Sequence, residues 1–144
     1  IRLMEKVDIG AVFEIEQTEP SAWSKRLIET EFDLDNSILL VACIDNCVIG
    51  WCSARFIGRE AELLKIGVAG NFRHQSVGTM LLSVLWEMLG ERQVDQLMLE
   101  VRSQNEIALG FYRRLGFTPV GRRINYYSQP NDDALIFKKD LRLP

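Results

Sequence analysis

One stretch of the sequence limits the fold more than any other: LLKIGVAGNFRHQSVGTMLLSVLWEML, from Leu63 to Leu89. An apolar run stops at Gly70, a short polar loop follows, and an apolar helix restarts at Gly78. Such a loop gathers backbone N–H groups at a helix N-terminus, where the positive end of the helix dipole favours anions. It matches neither GxGxxG nor GxxxxGK[ST], so the chain is neither a plain Rossmann nor a P-loop fold.

The elements around the loop follow from periodicity and turn chemistry. DIGAVFEIEQ (Asp8 to Gln17) has helical spacing behind an Asp that could cap it, and SAWSKRLIETEF reads as a second helix entered through Pro20 and Ser21. SILLVACI and CVIGWCSARF are strands around an Asp45-Asn46 turn, and AELLKIGV is a third. The helix after the loop is expected to bury Leu81, Val84, Leu85 and Met88 and to end near Gly90. DQLMLEVR is a strand. In SQNEIALGFYRRLGF, Ser103 and Glu106 have capping-box spacing and Gly116 supplies the stop. FTPVGRRINYY and DALIFKKDL close the chain as strands. Because a helix joins AELLKIGV to LMLEV, those two strands should run parallel. The expectation is an α/β chain, one domain over residues 1–144, whose mixed central β-sheet combines an antiparallel meander with one parallel strand pair and is flanked by helices.

Composition narrows the function classes. Basic residues number 6 against 11 acidic ones through Glu60, and 11 against 9 beyond it, so a polyphosphate is expected on the second part. No basic stripe suggests direct nucleic-acid binding, and no apolar run approaches the roughly 20 residues that cross a bilayer. The hairpin register would point Cys43 and Cys47 to opposite sheet faces, against a bridge between them. With His74 the one histidine and no CxxC pair, no metal is expected. Reduced thiols suit a cytoplasmic location.

At RHQSVGT the chain resembles the GCN5-related N-acetyltransferase (GNAT) superfamily, whose coenzyme loop reads Q/R-x-x-G-x-G/A. Arg73 fills its first position, Ser76 the usual first glycine and Gly78 the second. LMLEVRSQNEIALGFYRRLGF, the later NYY and the early IEQTEPSAWS are similar to the RimI-type bacterial ribosomal-protein-alanine N-acetyltransferases. The resemblance implies the GNAT fold, with acetyl-CoA as cosubstrate and the N-terminal amine of a ribosomal protein as acceptor. It implies a coenzyme arm running along Ile66, Gly67 and Val68, a pyrophosphate on His74, Gln75, Ser76, Val77, Gly78 and Thr79, and a hydrogen bond from Asn105. Arg73, Arg113 and Arg114 could meet phosphates. Trp23, Tyr126 and Tyr127 would wall the peptide cleft. The pair Arg122-Arg123 stands one position earlier than the pattern, with Ile124 inserted before Asn125.

Ser76 is the departure in the loop. Glycine tolerates positive φ there, whereas a serine in the left-handed region costs about 1–2 kcal/mol. Its N–H and hydroxyl still face an anion, and one kcal/mol is only about a fivefold change in affinity.

Attack on a thioester needs a neutral amine, a polarised carbonyl and a proton for the thiolate. An α-amine, with pKa near 7.7–8.0 against roughly 10.4 for lysine, needs little help to lose its proton. The resemblance makes Glu100 the general base and Tyr112 the general acid, with a backbone N–H near Val68 polarising the carbonyl. The residues alone leave rivals open: Glu100 paired with its same-face neighbour Arg102, and Tyr112 packed in the core beside Ile107, Phe111 and Leu115. Transfer to lysines or small amines, and a non-catalytic acyl-CoA module, are the alternative functions.

Overall fold

The computed structural model describes residues 1–19 and 21–142, and Pro20, expected at the entrance to the second helix, lies outside them. The chain forms β1 (Arg2–Leu3), α1 (Ile9–Glu16), α2 (Lys25–Phe32), β2 (Ser37–Ile44), β3 (Cys47–Ile57), β4 (Glu60–Val68), α3 (Val77–Glu91), β5 (Gln96–Arg102), α4 (Glu106–Arg114), β6 (Thr118–Tyr127) and β7 (Asp132–Asp140). The seven strands make one mixed sheet in the order β1-β2-β3-β4-β5-β7-β6. All neighbours run antiparallel except β4 and β5, as the crossover helix between them required. The two-residue β1, too short to show a period, had no sequence signal.

Alternation sorts the strand side chains onto two faces. Leu97, Leu99 and Val101 of β5 are buried beneath α3 and α4, while Met98, Glu100 and Arg102 point the other way. On that second face α1 and α2 cover a smaller core that includes Val12, Ile15, Ile28, Val41 and Trp51. α3 inserts Val77, Leu81, Leu82, Leu85 and Leu89 into the larger core. Val84 and Met88 are only partly buried at its edge, so the buried stripe is rotated from the expected one by Leu82 and Leu89.

Several ends differ from expectation for local reasons. Asp8 does not cap α1; its carboxylate accepts from the Glu5 N–H at 2.7 Å and pairs with Arg2. α2 starts later, where the Ser24 hydroxyl accepts from the Leu27 N–H at 3.1 Å. The expected Ser103–Glu106 box is replaced by an Asn105 cap, whose carbonyl accepts from Ala108 N–H at 3.1 Å, because the Ser103 hydroxyl is engaged by Asp132. The Asp45-Asn46 turn has both φ values positive, at 50° and 65°, and sets Cys43 opposite Val48 and Ile44 opposite Cys47 as expected. All three cysteines are free, and burial pushes the Cys52 thiol up to about 12. Among the described residues no helix is long and apolar enough to cross a membrane.

Candidate active site

The site begins with a parting of strands. β4 and β5 pair only over Glu60–Glu62 with Gln96–Met98. Beyond that point β4 stays bonded to β3 as far as Val68 opposite Gly50, and β5 stays bonded to β7 as far as Arg102 opposite Ala134. The parting follows a bulge in β4: Ser53 faces Lys65 and Ala54 faces Leu63, so Leu64 is an extra residue that bends the strand away. The result is a V-shaped gap in the middle of the sheet.

On the helix face the gap opens into a groove of about 730 Å³ between β4, α3 and α4. Ile66, Gly67, Val68, His74, Ser76, Val77, Gly78, Thr79 and Asn105 line it, nine of the ten residues expected to hold a coenzyme. Gln75 is not among the lining residues, because its amide turns back to donate to the Asn71 carbonyl at 3.1 Å. His74 and Ser76 both take left-handed backbone, at φ 62° and 65°, so the chain coils tightly just before α3. Such alternation turns successive N–H groups inward and leads directly into the unpartnered N–H groups of the helix's first turn. Ser76 therefore occupies the strained conformation that the sequence foretold.

Gly78 has a packing reason of its own. A Cβ there would stand 3.1 Å from Phe111 Cζ, so its absence lets the first turn of α3 lie against α4. Phe72, Ile107, Phe111 and Leu115 complete the apolar walls, which sequence reasoning had not singled out as lining residues. Of the three arginines considered, Arg73 and Arg114 line the groove and Arg113 lies instead over the Phe137 ring. Arg73 donates to the Val68 carbonyl at 3.1 Å and pairs with Glu19 at 3.0 Å.

On the opposite face a cleft of about 450 Å³ lies between Ile57 and Arg55 of β3, Glu60 and Glu62 of β4, Met98 and Glu100 of β5, and Arg123 and Ile136. Glu100 is 19% exposed, and its carboxylate lies 3.3 Å from the Arg123 guanidinium. Arg102 is not its partner; that guanidinium bonds the Pro130 carbonyl and stacks over the Tyr127 ring. A register shift earlier in β6 explains how Arg123 gets there: Pro119 faces Phe137 and Gly121 faces Ile136, so Val120 is an extra residue that sets Arg123 opposite Ala134. Between Arg123 and Tyr127 the β6–β7 register shifts, Asn125 takes φ 54°, and its N–H is held by Asp133 at 2.8 Å. Over that stretch β6 advances four residues while β7 advances two, so the ladder is irregular between Arg123 and Tyr127.

Glu62 shares the cleft: burial and then the neighbouring Glu100 raise its pKa, while Arg55 and Arg123 oppose the rise. Arg55 is in turn ion-paired to the buried Glu31 of α2. Tyr112 lies on α4 within Phe111, Phe117 and Phe137, only 8% exposed, and burial pushes its hydroxyl well above the usual phenol range. It is not a lining residue of either cavity. Trp23 packs edge-on against Trp51 at 5.8 Å, and Tyr126 against Tyr127 at 5.1 Å. No cluster of three or more metal-ligating side chains occurs among the described residues.

A strand-parted mixed sheet with an anion-ready loop at a helix N-terminus has clear relatives. The model of the Acetyltransferase (GNAT) family matches residues 9–117, and the chain belongs to that family. It is an acetyl-CoA-dependent N-acetyltransferase. It is 34% identical over 139 residues to a Bacillus subtilis (strain 168) protein provisionally named a [ribosomal protein bS18]-alanine N-acetyltransferase, covering 94% of this chain and 91% of the other. The [ribosomal protein bS18]-alanine N-acetyltransferase of Haemophilus influenzae (strain ATCC 51907 / DSM 11121 / KW20 / Rd) is 30% identical, over 91% and 89% of the two chains. The crystal structure of the ribosomal-protein-S18-alanine N-acetyltransferase from Escherichia coli superposes with a TM-score of 0.90 at 27% identity, covering 99% and 93%.

Proposed function

We propose that the chain transfers the acetyl group of acetyl-CoA directly to the α-amine of an N-terminal alanine on a ribosomal protein. The observation that carries this reading is the position of Glu100: its carboxylate faces the cleft two residues beyond the last β4–β5 pair, where the gap begins, with the anion loop on the other side of the sheet. Two proteins with that named activity, at 30–34% identity over most of their length, support the choice of acceptor.

In this reading the N–H groups from His74 to Thr79 hold the pyrophosphate, and the edge of β4 that has left β5 pairs with the pantetheine arm as a further strand would. The residues fit such a group, since the groove is apolar along Ile66, Phe72 and Phe111 and rich in backbone donors at its loop end. Arg73 would exchange the Val68 carbonyl for a phosphate. Across the gap, Glu100 takes the proton of the incoming α-ammonium, directly or through a water, and a backbone N–H near Val68 steadies the oxyanion. As the C–S bond breaks, Tyr112 gives its proton to the sulfur, and the second proton shed by the nitrogen as the amide forms restores the phenol. A phenol held neutral by burial ionises only in concert with that cleavage, which keeps it protonated until then. Trp23, Tyr126 and Tyr127 wall the acceptor side. The setting is the cytoplasm, where ribosomal proteins are made.

The test is a panel of peptides differing only in their first residue, incubated with acetyl-CoA while thiol release is followed. N-terminal alanine should be preferred by roughly tenfold or more in kcat/KM. Equal turnover of N-terminally blocked, lysine-containing peptides would overturn the choice of acceptor, and coenzyme binding with no thiol release on any amine would overturn catalysis itself.

A further inference from the structure

The catalytic reading leaves several buried carboxylates unused, and Glu16 is the most deeply buried of them among the described residues. Glu16, in the last turn of α1, is 0% exposed, in the half of a helix where the dipole disfavours an anion. It is compensated from three directions. The Lys65 ammonium of β4 lies 3.1 Å from one carboxylate oxygen, which also accepts from the Trp23 backbone N–H at 2.9 Å. The other oxygen accepts from the Trp51 indole N–H at 3.3 Å. Lys65 itself donates to the Ser21 carbonyl at 2.7 Å. One carboxylate thus ties α1, β3, β4 and the stretch between α1 and α2 into a single knot.

Two facts place this knot beside both substrates. Lys65 immediately precedes Ile66–Val68 on the part of β4 that has left β5, and the stretch it anchors carries Glu19, which lines the groove, and Trp23. A buried ion pair adds little to stability when compared with apolar packing of the same volume, yet breaking it by removing one partner is strongly unfavourable. Its effect is to fix geometry.

We propose that Glu16 is a positioning residue for the acceptor, holding the stretch between α1 and α2 against β4 so that Trp23 and its neighbours form a preset wall. This rests on the reading above, in which that stretch faces the acceptor. Holding the wall in advance removes the ordering that a peptide would otherwise have to supply on binding.

The experiment compares Glu16→Gln, Lys65→Met and the double variant with the wild type, using the acceptor peptide chosen by the panel. Each single variant should raise the acceptor KM about tenfold, with the acetyl-CoA KM within about twofold of wild type. The double variant should return toward wild-type acceptor KM, since it removes the unpaired cation and keeps an amide that accepts from Trp23. Independently of any substrate, hydrogen exchange at the Trp23 amide should be faster in both single variants. If Glu16→Gln does not fold, Lys65→Met carries the test, because it leaves Glu16 itself unchanged but strands a buried carboxylate without its cation, which loosens the knot that holds Trp23. Unchanged acceptor KM, equal rises for both substrates, or an unaltered Trp23 exchange rate would overturn the proposal. A failed choice of acceptor shows in the wild type alone; a failed role for Glu16 shows as variants that match it.

Discussion

The groove on the helix face and the cleft on the opposite face are built from different material. The groove takes most of its polar capacity from the main chain of one continuous stretch, Ile66 to Thr79, in which two left-handed residues and a helix N-terminus do the shaping. The cleft takes its polarity from side chains brought together across the sheet, Arg55, Glu62, Glu100 and Arg123 from four different strands. Only proline removes a backbone donor, so the groove should tolerate a change such as Ser76 for glycine. A side-chain cleft changes with every residue, which suits the role proposed for it, the choice among amines.

Three substitutions would sharpen or break that contrast. The largest effect is expected from Glu100→Gln, which keeps the shape of the cleft and removes the proposed base: kcat should fall about 100-fold to 10,000-fold with coenzyme A affinity unchanged. A matching loss in coenzyme A affinity, measured by calorimetry, would mean that the two faces are not separate. The next is Gly78→Val. Its Cβ would press on the Phe111 ring and part α3 from α4, so the coenzyme A Kd should rise about tenfold while the acceptor KM stays near wild type. The smallest is Ser76→Gly. Relief of about 1–2 kcal/mol of left-handed strain is partly offset by about 0.5–1 kcal/mol of glycine entropy, so thermal denaturation should show a Tm higher by about 2 °C. Coenzyme A affinity should move less than threefold in that variant. A large gain there would show that the serine had been distorting the loop.

The same contrast explains what the sequence could disclose. The loop, the parallel crossover and the turn at Asp45-Asn46 are local patterns, and all could be read before any coordinates. Nine of the ten expected coenzyme residues line the groove because they are close in sequence and held by elements of strong periodicity. The acceptor side was less legible. Glu100 stood out as a charge inside a strand, but the one partner the residues offered for it was Arg102, because the same-face rule looks along a strand, not across to Arg123 on β6. The path of Arg123 depends on a bulge at Val120, and nothing local in TPVGRR says that one residue there will drop out of register. Glu16 was hidden for the opposite reason: an acidic residue in an amphipathic helix reads as solvated, and its partners lie 7, 35 and 49 positions away, at Trp23, Trp51 and Lys65.

The extra residue Leu64 has a consequence for the order of events. Under the proposed function, a groove on one face and a cleft on the other would give each reactant its own doorway, one from above and one from below. Neither would have to depart before the other arrives, so one visit by each would suffice for a turnover with no acyl group parked on the protein in between.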